Sequence, residues 1–210
     1  MTKIIMLGVG NGGPLELYNT CFVIQNEKGN FLVDTGGSIQ IIKKLNEVNI
    51  DYKEIKNIFI SHSHTDHILG LFWLFKKISR DVMHGNITEK INIYCNDVVY
   101  EAIKGVSKYV LPDKLMTAIY DIVDFKILED GDKYNINGID YTFFDIRAKG
   151  TKQYGFECIL NNKKLAFLGD ETLNPLLYDR FKNYDYVMHE AFCLDSEESI
   201  FNAYEKNHST

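Results

Sequence analysis

Residues 61–67 read Ser-His-Ser-His-Thr-Asp-His and follow directly on an apolar run, Ile55–Ser61. Three imidazoles and a carboxylate thus stand within six positions, in a chain that has six histidines in all. Chance clustering of that kind is improbable, so a polar loop that merely happens to be His-rich is the weaker reading. Imidazole and carboxylate suit zinc, iron or manganese. His62 and His64 point the same way in extended chain and can share one ion. Asp66 and His67 open the next helix and can face a second. Four donors so close in sequence converge only where a buried strand ends in a loop that folds back on itself. Along the chain, mixed strands with helices at both ends suggest an α/β architecture of sheets covered by helices on their outer faces.

The rest of the chain suits such a core. Hydrophobic residues make up 45% and the formal net charge is -6, which excludes a disordered chain. No run approaches the roughly 18 apolar residues that cross a bilayer, so no membrane partner is expected. Met1–Gly10 lacks a signal-peptide apolar region and cleavage site, which implies a cytoplasmic location. Acidic residues outnumber basic ones, 29 to 23, and arginine occurs only at 80, 147 and 180. That balance argues against a strong nucleic-acid-binding surface. Cys21, Cys95, Cys158 and Cys193 form no CxxC pair and read as reduced, mostly buried thiols. Length and composition predict a single domain, residues 1–210.

Strands are expected at Lys3–Leu7, Thr20–Gln25, Asn30–Asp34, Ile55–Ser61 and Ile91–Cys95. Ser38 is expected to cap a helix running to Asn49, with further helices over His67–Ile78 and Asp97–Lys108. The second half reads as strands in series: Val123–Leu128, Lys133–Ile136, Ile139–Ile146, Tyr154–Leu160 and Lys164–Leu168. Asn137-Gly138 and Asn161-Asn162 supply turn chemistry. A helix over Asn174–Asn183 and a strand over Tyr186–Met188 close the series. Phe72, Trp73 and Phe75 read as core, and His84 as a surface residue.

The His-x-His-x-Asp-His tract after an apolar strand resembles the metallo-β-lactamase superfamily. Other tracts resemble its ribonuclease Z-like branch: Leu7–Asn11 its opening glycine turn, Leu32–Gly37 the strand whose Asp34 supports the metal loop, and Leu165–Asp170 the strand delivering a bridging Asp. His189-Glu190-Ala191-Phe192 and His208-Ser209-Thr210 resemble two of its loops. The resemblance implies a four-layer αββα sandwich and two divalent ions, with zinc first and manganese or iron as alternatives. His62 and His64 would hold one ion and Asp66 and His67 the other, with Asp170 bridging. A bridging hydroxide would attack phosphorus. Asp66 would orient the water or take its proton. His208 would protonate the leaving oxygen, oriented by Glu190.

Three departures accompany the likeness. Relatives carry a ligating His after a second-half strand, where this chain has Arg147, which cannot donate a lone pair. Arg147 would swing out, weaken one ion, or pair with a substrate phosphate or Asp145. The chain ends at Thr210 inside the second loop, so the resemblance implies a sandwich lacking its last helix and strand, with an incomplete metal cage. Only a hairpin-sized stretch separates Arg147 from Asp170, leaving no room for the long arm of transfer-RNA-processing relatives. The expected function is a metal-dependent hydrolase, foremost a phosphodiesterase acting on a small phosphodiester or RNA fragment. Two alternatives stand beside it: a hydrolase of another ester class (lactone, thioester or sulfate), and a metal-poor, inactive homologue serving as a binding module. Relatives often pair, so a homodimer is also expected.

Overall fold

A computed structural model describes residues 1–210 except Leu173, Phe192, Asn207 and Thr210. The last members of the two loops at 189–192 and 208–210 thus lie outside the described residues. The chain forms two compact units, Met1–Ile127 and Leu128–Thr210.

The first unit is a six-stranded sheet in the order β1-β2-β3-β4-β5-β6. Its strands are β1 (Lys3–Gly8), β2 (Cys21–Asn26), β3 (Gly29–Val33), β4 (Ile55–Ile60), β5 (Ile91–Cys95) and β6 (Val123–Ile127). The pairs β1–β2 and β2–β3 are antiparallel, whereas β3 to β6 run parallel. The parallel strands need helical crossovers, supplied by α1 (Gln40–Glu47), α2 (Thr65–Met83), α3 (Asp97–Val110) and α4 (Asp113–Tyr120). Val33, Ile58, Ile60, Ile93, Leu71, Leu74, Phe75 and Ile103 are all within 1% of full burial. The parallel strands read as unbroken apolar runs because both faces of such strands are covered.

α2 begins two residues before the expected His67 and runs five beyond Ile78. The Ser38 hydroxyl takes the Gln40 amide at 3.3 Å, but the helix itself starts at Gln40, with Ile39 in the cap position. Phe72 and Phe75 are buried as expected, but Trp73 is 39% exposed. At 100° per residue Trp73 turns off the apolar stripe, and Lys76 lies over its ring at 5.2 Å. His84 is exposed at the C-terminus of α2.

The second unit is a five-stranded sheet in the order β11-β10-β9-β8-β7. Its strands are β7 (Lys133–Ile136), β8 (Ile139–Asp145), β9 (Tyr154–Leu160), β10 (Lys163–Phe167) and β11 (Tyr186–Met188). All neighbours are antiparallel except β10 and β11. Two hairpins turn on Asn137-Gly138 and Asn161-Asn162, with φ of 52°, 77°, 49° and 64°. Positive φ at both central residues marks the turn whose twist matches paired strands, and Asn and Gly tolerate it best. The β9–β10 connection is therefore a two-residue turn. α5 (Pro175–Phe181) seats Leu177 and Phe181 against Phe144, Ile146, Ala166 and Leu168. The short helix α6 (Glu198–Phe201) follows. All four cysteines are free, and all but Cys193 are buried. Among the described residues no helix is long and apolar enough to cross a membrane.

Candidate functional site

Parallel strands end on the same edge of a sheet, and loops leaving that edge build sites. In the first unit β3, β4 and β5 end side by side there, in the register Val33↔Phe59 and Ile60↔Cys95. The residues that follow are Asp34, Ser61 and Asn96. Asp34 adopts φ 55°, a left-handed conformation that Asp accepts more readily than most residues. Its amide bonds to the Phe59 carbonyl at 2.8 Å. The carboxylate, on a residue 1% exposed, is thereby brought beneath the His-rich loop. It accepts the Ser61 amide at 2.8 Å, the Ser61 hydroxyl at 2.8 Å and His67 Nδ1 at 2.8 Å. Three bonds from donors satisfy a charge that would otherwise be costly to bury.

Further clasps hold the loop. Thr35 donates both its amide and its hydroxyl to the His67 carbonyl, at 2.9 and 2.8 Å. Ser61 Oγ lies 3.0 Å from His62 Nδ1. Asn96 donates to the Ser61 carbonyl at 3.5 Å while capping α3. The Tyr18 hydroxyl, buried, donates to the Thr35 and Ser38 carbonyls. Gly70 lets α2 touch the Thr35 turn: a Cβ there would lie 1.9 Å from the Thr35 oxygen.

The result gathers the histidines. The His62 ring centroid is 4.5 Å from that of His64 and 4.1 Å from that of His67. His67 Nε2 lies 3.2 Å from Asp66 Oδ2. With the Nδ1 proton donated to Asp34, Nε2 presents a lone pair to that oxygen. Two acceptors face each other in this way only with a proton or a cation between them. This donor set, imidazoles and a carboxylate oriented by an outer shell of hydrogen bonds, fits a divalent ion. His62 and His67 are buried, Asp66 is half-buried and His64 is exposed.

In the second unit Asp170 follows the end of β10. Gln153, 1% exposed, donates Nε2 to the Asp170 carbonyl at 3.3 Å and takes the Asp170 amide at 3.5 Å. Glu190 and His208 meet as a pair, His208 Nδ1 standing 2.8 and 3.0 Å from the two carboxylate oxygens. Glu190 also accepts the Ser209 amide at 3.1 Å. Burial pushes the Glu190 carboxyl above the ordinary range, opposed by the hydrogen bond and charge of His208. His189 Nδ1 bonds the Glu190 carbonyl at 3.0 Å, and burial lowers its pKa. Arg147 is exposed, with φ 58° and its amide on Asp145 Oδ1 at 2.7 Å. Tyr178 and Tyr186 are exposed, and Tyr184 donates to Glu157 at 3.0 Å.

The family model for anti-Pycsar protein Apyc1 matches residues 2–206. The chain belongs to this family. The chain is a ribonuclease Z-like member of the metallo-β-lactamase superfamily. Ribonuclease Z of Methanococcus aeolicus is 38% identical over 107 residues, a match covering 50% of this chain and 31% of that protein. Anti-Pycsar protein Apyc1 of Bacillus phage BSP38 is 26% identical over 205 residues, covering 90% of this chain and 77% of that one. Human tRNase Z, short form, superposes with a TM-score of 0.76 at 20% identity, covering 100% of this chain and 85% of that chain. That likeness shows the metallo-β-lactamase fold, as the His-x-His-x-Asp-His tract implied.

The orienting residues Thr35, Asn96, Tyr18 and Gln153 carried no signal of their own in the sequence. Gln153 stands in the Lys-Gln-aromatic-Gly-Phe stretch, which marked the tract without giving the side chain a role.

Proposed function

We propose that this protein is a metal-dependent phosphodiesterase acting on a small phosphodiester or a short RNA fragment. The observation that carries the reading is the packed set His62, His64 and His67, locked by Asp34 and Ser61 and joined by Asp66. It stands in a chain whose family is one of phosphodiesterases. His62 and His64 would hold one ion and Asp66 and His67 a second, with Asp170 supplying a carboxylate to both. Zinc heads the candidates, and manganese and iron suit the same donors. Ions so bound supply Lewis acidity to the phosphoryl oxygens and lower the pKa of water.

The protein's own groups do the rest. Asp66 orients the attacking water and takes its proton. Asp34 keeps the His67 Nδ1 proton in place, so that Nε2 faces the site. Glu190 fixes the ring of His208 through Nδ1, and His208 delivers a proton to the departing oxygen. A small substrate is favoured over transfer RNA for two reasons. The net charge is -6, and the β9–β10 connection is a two-residue turn with no inserted arm. Homodimer formation and a cytoplasmic location belong to the same reading.

The test is turnover of bis(p-nitrophenyl) phosphate, 3′,5′-cyclic nucleotides and a precursor transfer-RNA transcript with added zinc or manganese. Hydrolysis of the small diesters, abolished by His64→Ala, is expected. Silence on every phosphodiester together with turnover of lactones, thioesters or sulfate esters overturns it.

A further inference from the structure

We infer that Ser61 is a positioning residue for His62: it passes the Asp34 carboxylate's hold to a second ring, so that one buried carboxylate fixes which nitrogen carries the proton in both His62 and His67. The inference rests on the reading of these two histidines as ligands of different ions, and adds to it a link between them.

The hydrogens around Ser61 can be assigned one by one. A serine hydroxyl has a single hydrogen to donate and two lone pairs to accept with. The Ser61 oxygen stands 2.8 Å from Asp34 Oδ2, 3.1 Å from Asp34 Oδ1 and 3.0 Å from His62 Nδ1. All three residues are buried. An ionised carboxylate only accepts, so the one hydroxyl hydrogen goes to Asp34. Were it turned to His62 instead, two oxygens would face each other at 2.8 Å with no hydrogen between them, inside the protein, where that arrangement is most costly. What Ser61 offers His62 Nδ1 is therefore a lone pair. Nδ1 must carry the ring proton, and Nε2 is left with the lone pair.

The same tautomer is imposed on His67 directly, its Nδ1 standing 2.8 Å from Asp34 Oδ2. A single carboxylate oxygen thus serves His67 by itself and His62 through a hydroxyl. Ser61 is kept between them by its own backbone: its amide donates to Asp34 Oδ1 at 2.8 Å, and its carbonyl accepts from Asn96 at 3.5 Å. A neutral imidazole in water favours the proton on Nε2, so both rings are held in the form they adopt less readily when free. The tautomer of a histidine is set by the bond its other nitrogen makes, and both forms are neutral, so no charge changes hands. His62 and His67 face each other with ring centroids 4.1 Å apart. A change at Asp34 therefore reaches both rings, whereas a change at Ser61 reaches His62 alone.

The test is a long-range proton–nitrogen correlation spectrum of the metal-free protein labelled with ¹⁵N-histidine, at mildly alkaline pH. Protonated and bare ring nitrogens differ widely in shift, and their couplings to the ring hydrogens tell Nδ1 from Nε2. Signals are assigned by their loss in His62→Gln and His67→Gln. In the wild type both rings are expected to carry the proton on Nδ1. Ser61→Ala moves the His62 proton to Nε2 and leaves His67 as it was. Asp34→Asn moves both, because the serine hydroxyl then accepts from the new NH2 group and donates to His62. In competition against a chelator, Ser61→Ala weakens one zinc ion by roughly 10- to 100-fold and spares the other, while Asp34→Asn weakens both. A wild-type His62 with its proton on Nε2 overturns the inference, and that result needs no variant to fold. An unchanged His62 tautomer in folded Ser61→Ala, or equal weakening of both ions by that variant, overturns it too. The spectra involve neither metal nor substrate, so the two readings fail separately. The expected tautomers without hydrolysis of any phosphodiester keep the relay and defeat the phosphodiesterase reading. Hydrolysis by a protein whose His62 carries its proton on Nε2 defeats the relay alone.

Discussion

Replacing Asp34 by asparagine removes a charge without changing the side chain's size. The carboxylate, on a residue 1% exposed, takes the Ser61 amide, the Ser61 hydroxyl and His67 Nδ1. Asparagine retains one oxygen, enough for the Ser61 amide, and sets an NH2 group where Oδ2 stood. The Ser61 hydroxyl can rotate to accept from that group. The His67 ring cannot do the same unless its proton moves to Nε2. One hydrogen bond to a charged acceptor is thus lost outright, about 1.5–3 kcal/mol of stability. Moving the proton to Nε2 also blocks the nitrogen proposed to face the ion, which lowers metal affinity by roughly 10- to 100-fold. Urea unfolding of the metal-free proteins measures the first effect, and competition against a chromophoric chelator measures the second. Metal affinity within about threefold of wild type refutes the reasoning, because Asp34 would then support the loop's fold without setting the ring. Intact stability with weakened metal binding would instead place the whole effect on the tautomer.

Glu190→Gln and His208→Gln should slow hydrolysis of alkyl-leaving-group diesters by about 10²–10⁴-fold and bis(p-nitrophenyl) phosphate far less, since nitrophenolate leaves without a proton; equal losses on both exclude an acid role. Gly70→Ala should destabilise the protein by roughly 2 kcal/mol or more in urea unfolding, despite the better helix propensity of alanine, because the new Cβ falls 1.9 Å from the Thr35 oxygen; a neutral or stabilising effect refutes the close approach. The hydrogen bond from Tyr52 holds the Asp81 carboxyl below its usual range. A depressed carboxylate stabilises the fold above its unfolded pKa and loses that contribution as pH falls through the folded value. The stability gap between wild type and Tyr52→Phe should therefore be constant at neutral pH and shrink in acid; a gap that widens in acid is the contrary result.

The His-rich tract was legible because metal chemistry needs those residue types together, and local spacing alone places His62, His64, Asp66 and His67 on one loop and one helix start. Hairpins at Asn137-Gly138 and Asn161-Asn162 were legible for the same reason: turn conformation is a local property of two residues. Helix α4 left little trace, since it is short and amphipathic, and Trp73 misled because an aromatic cluster gives no direction until the helix is set against its sheet. The Glu190–His208 pair and the support from Asp34 were visible only through a family likeness. Nothing in their own neighbourhoods marks them, because their partners lie 18 and 27 or more positions away. The roles of Gln153, Thr35 and Gly70 were settled only by tertiary structure. A buried amide clasping a backbone, a threonine holding a carbonyl 32 positions on and a glycine admitting a turn all depend on strands meeting at one edge of a sheet. Sequence alone determined which atoms are able to bind a metal. Folding decided how they are oriented, because orientation is set by hydrogen bonds between segments that are remote along the chain.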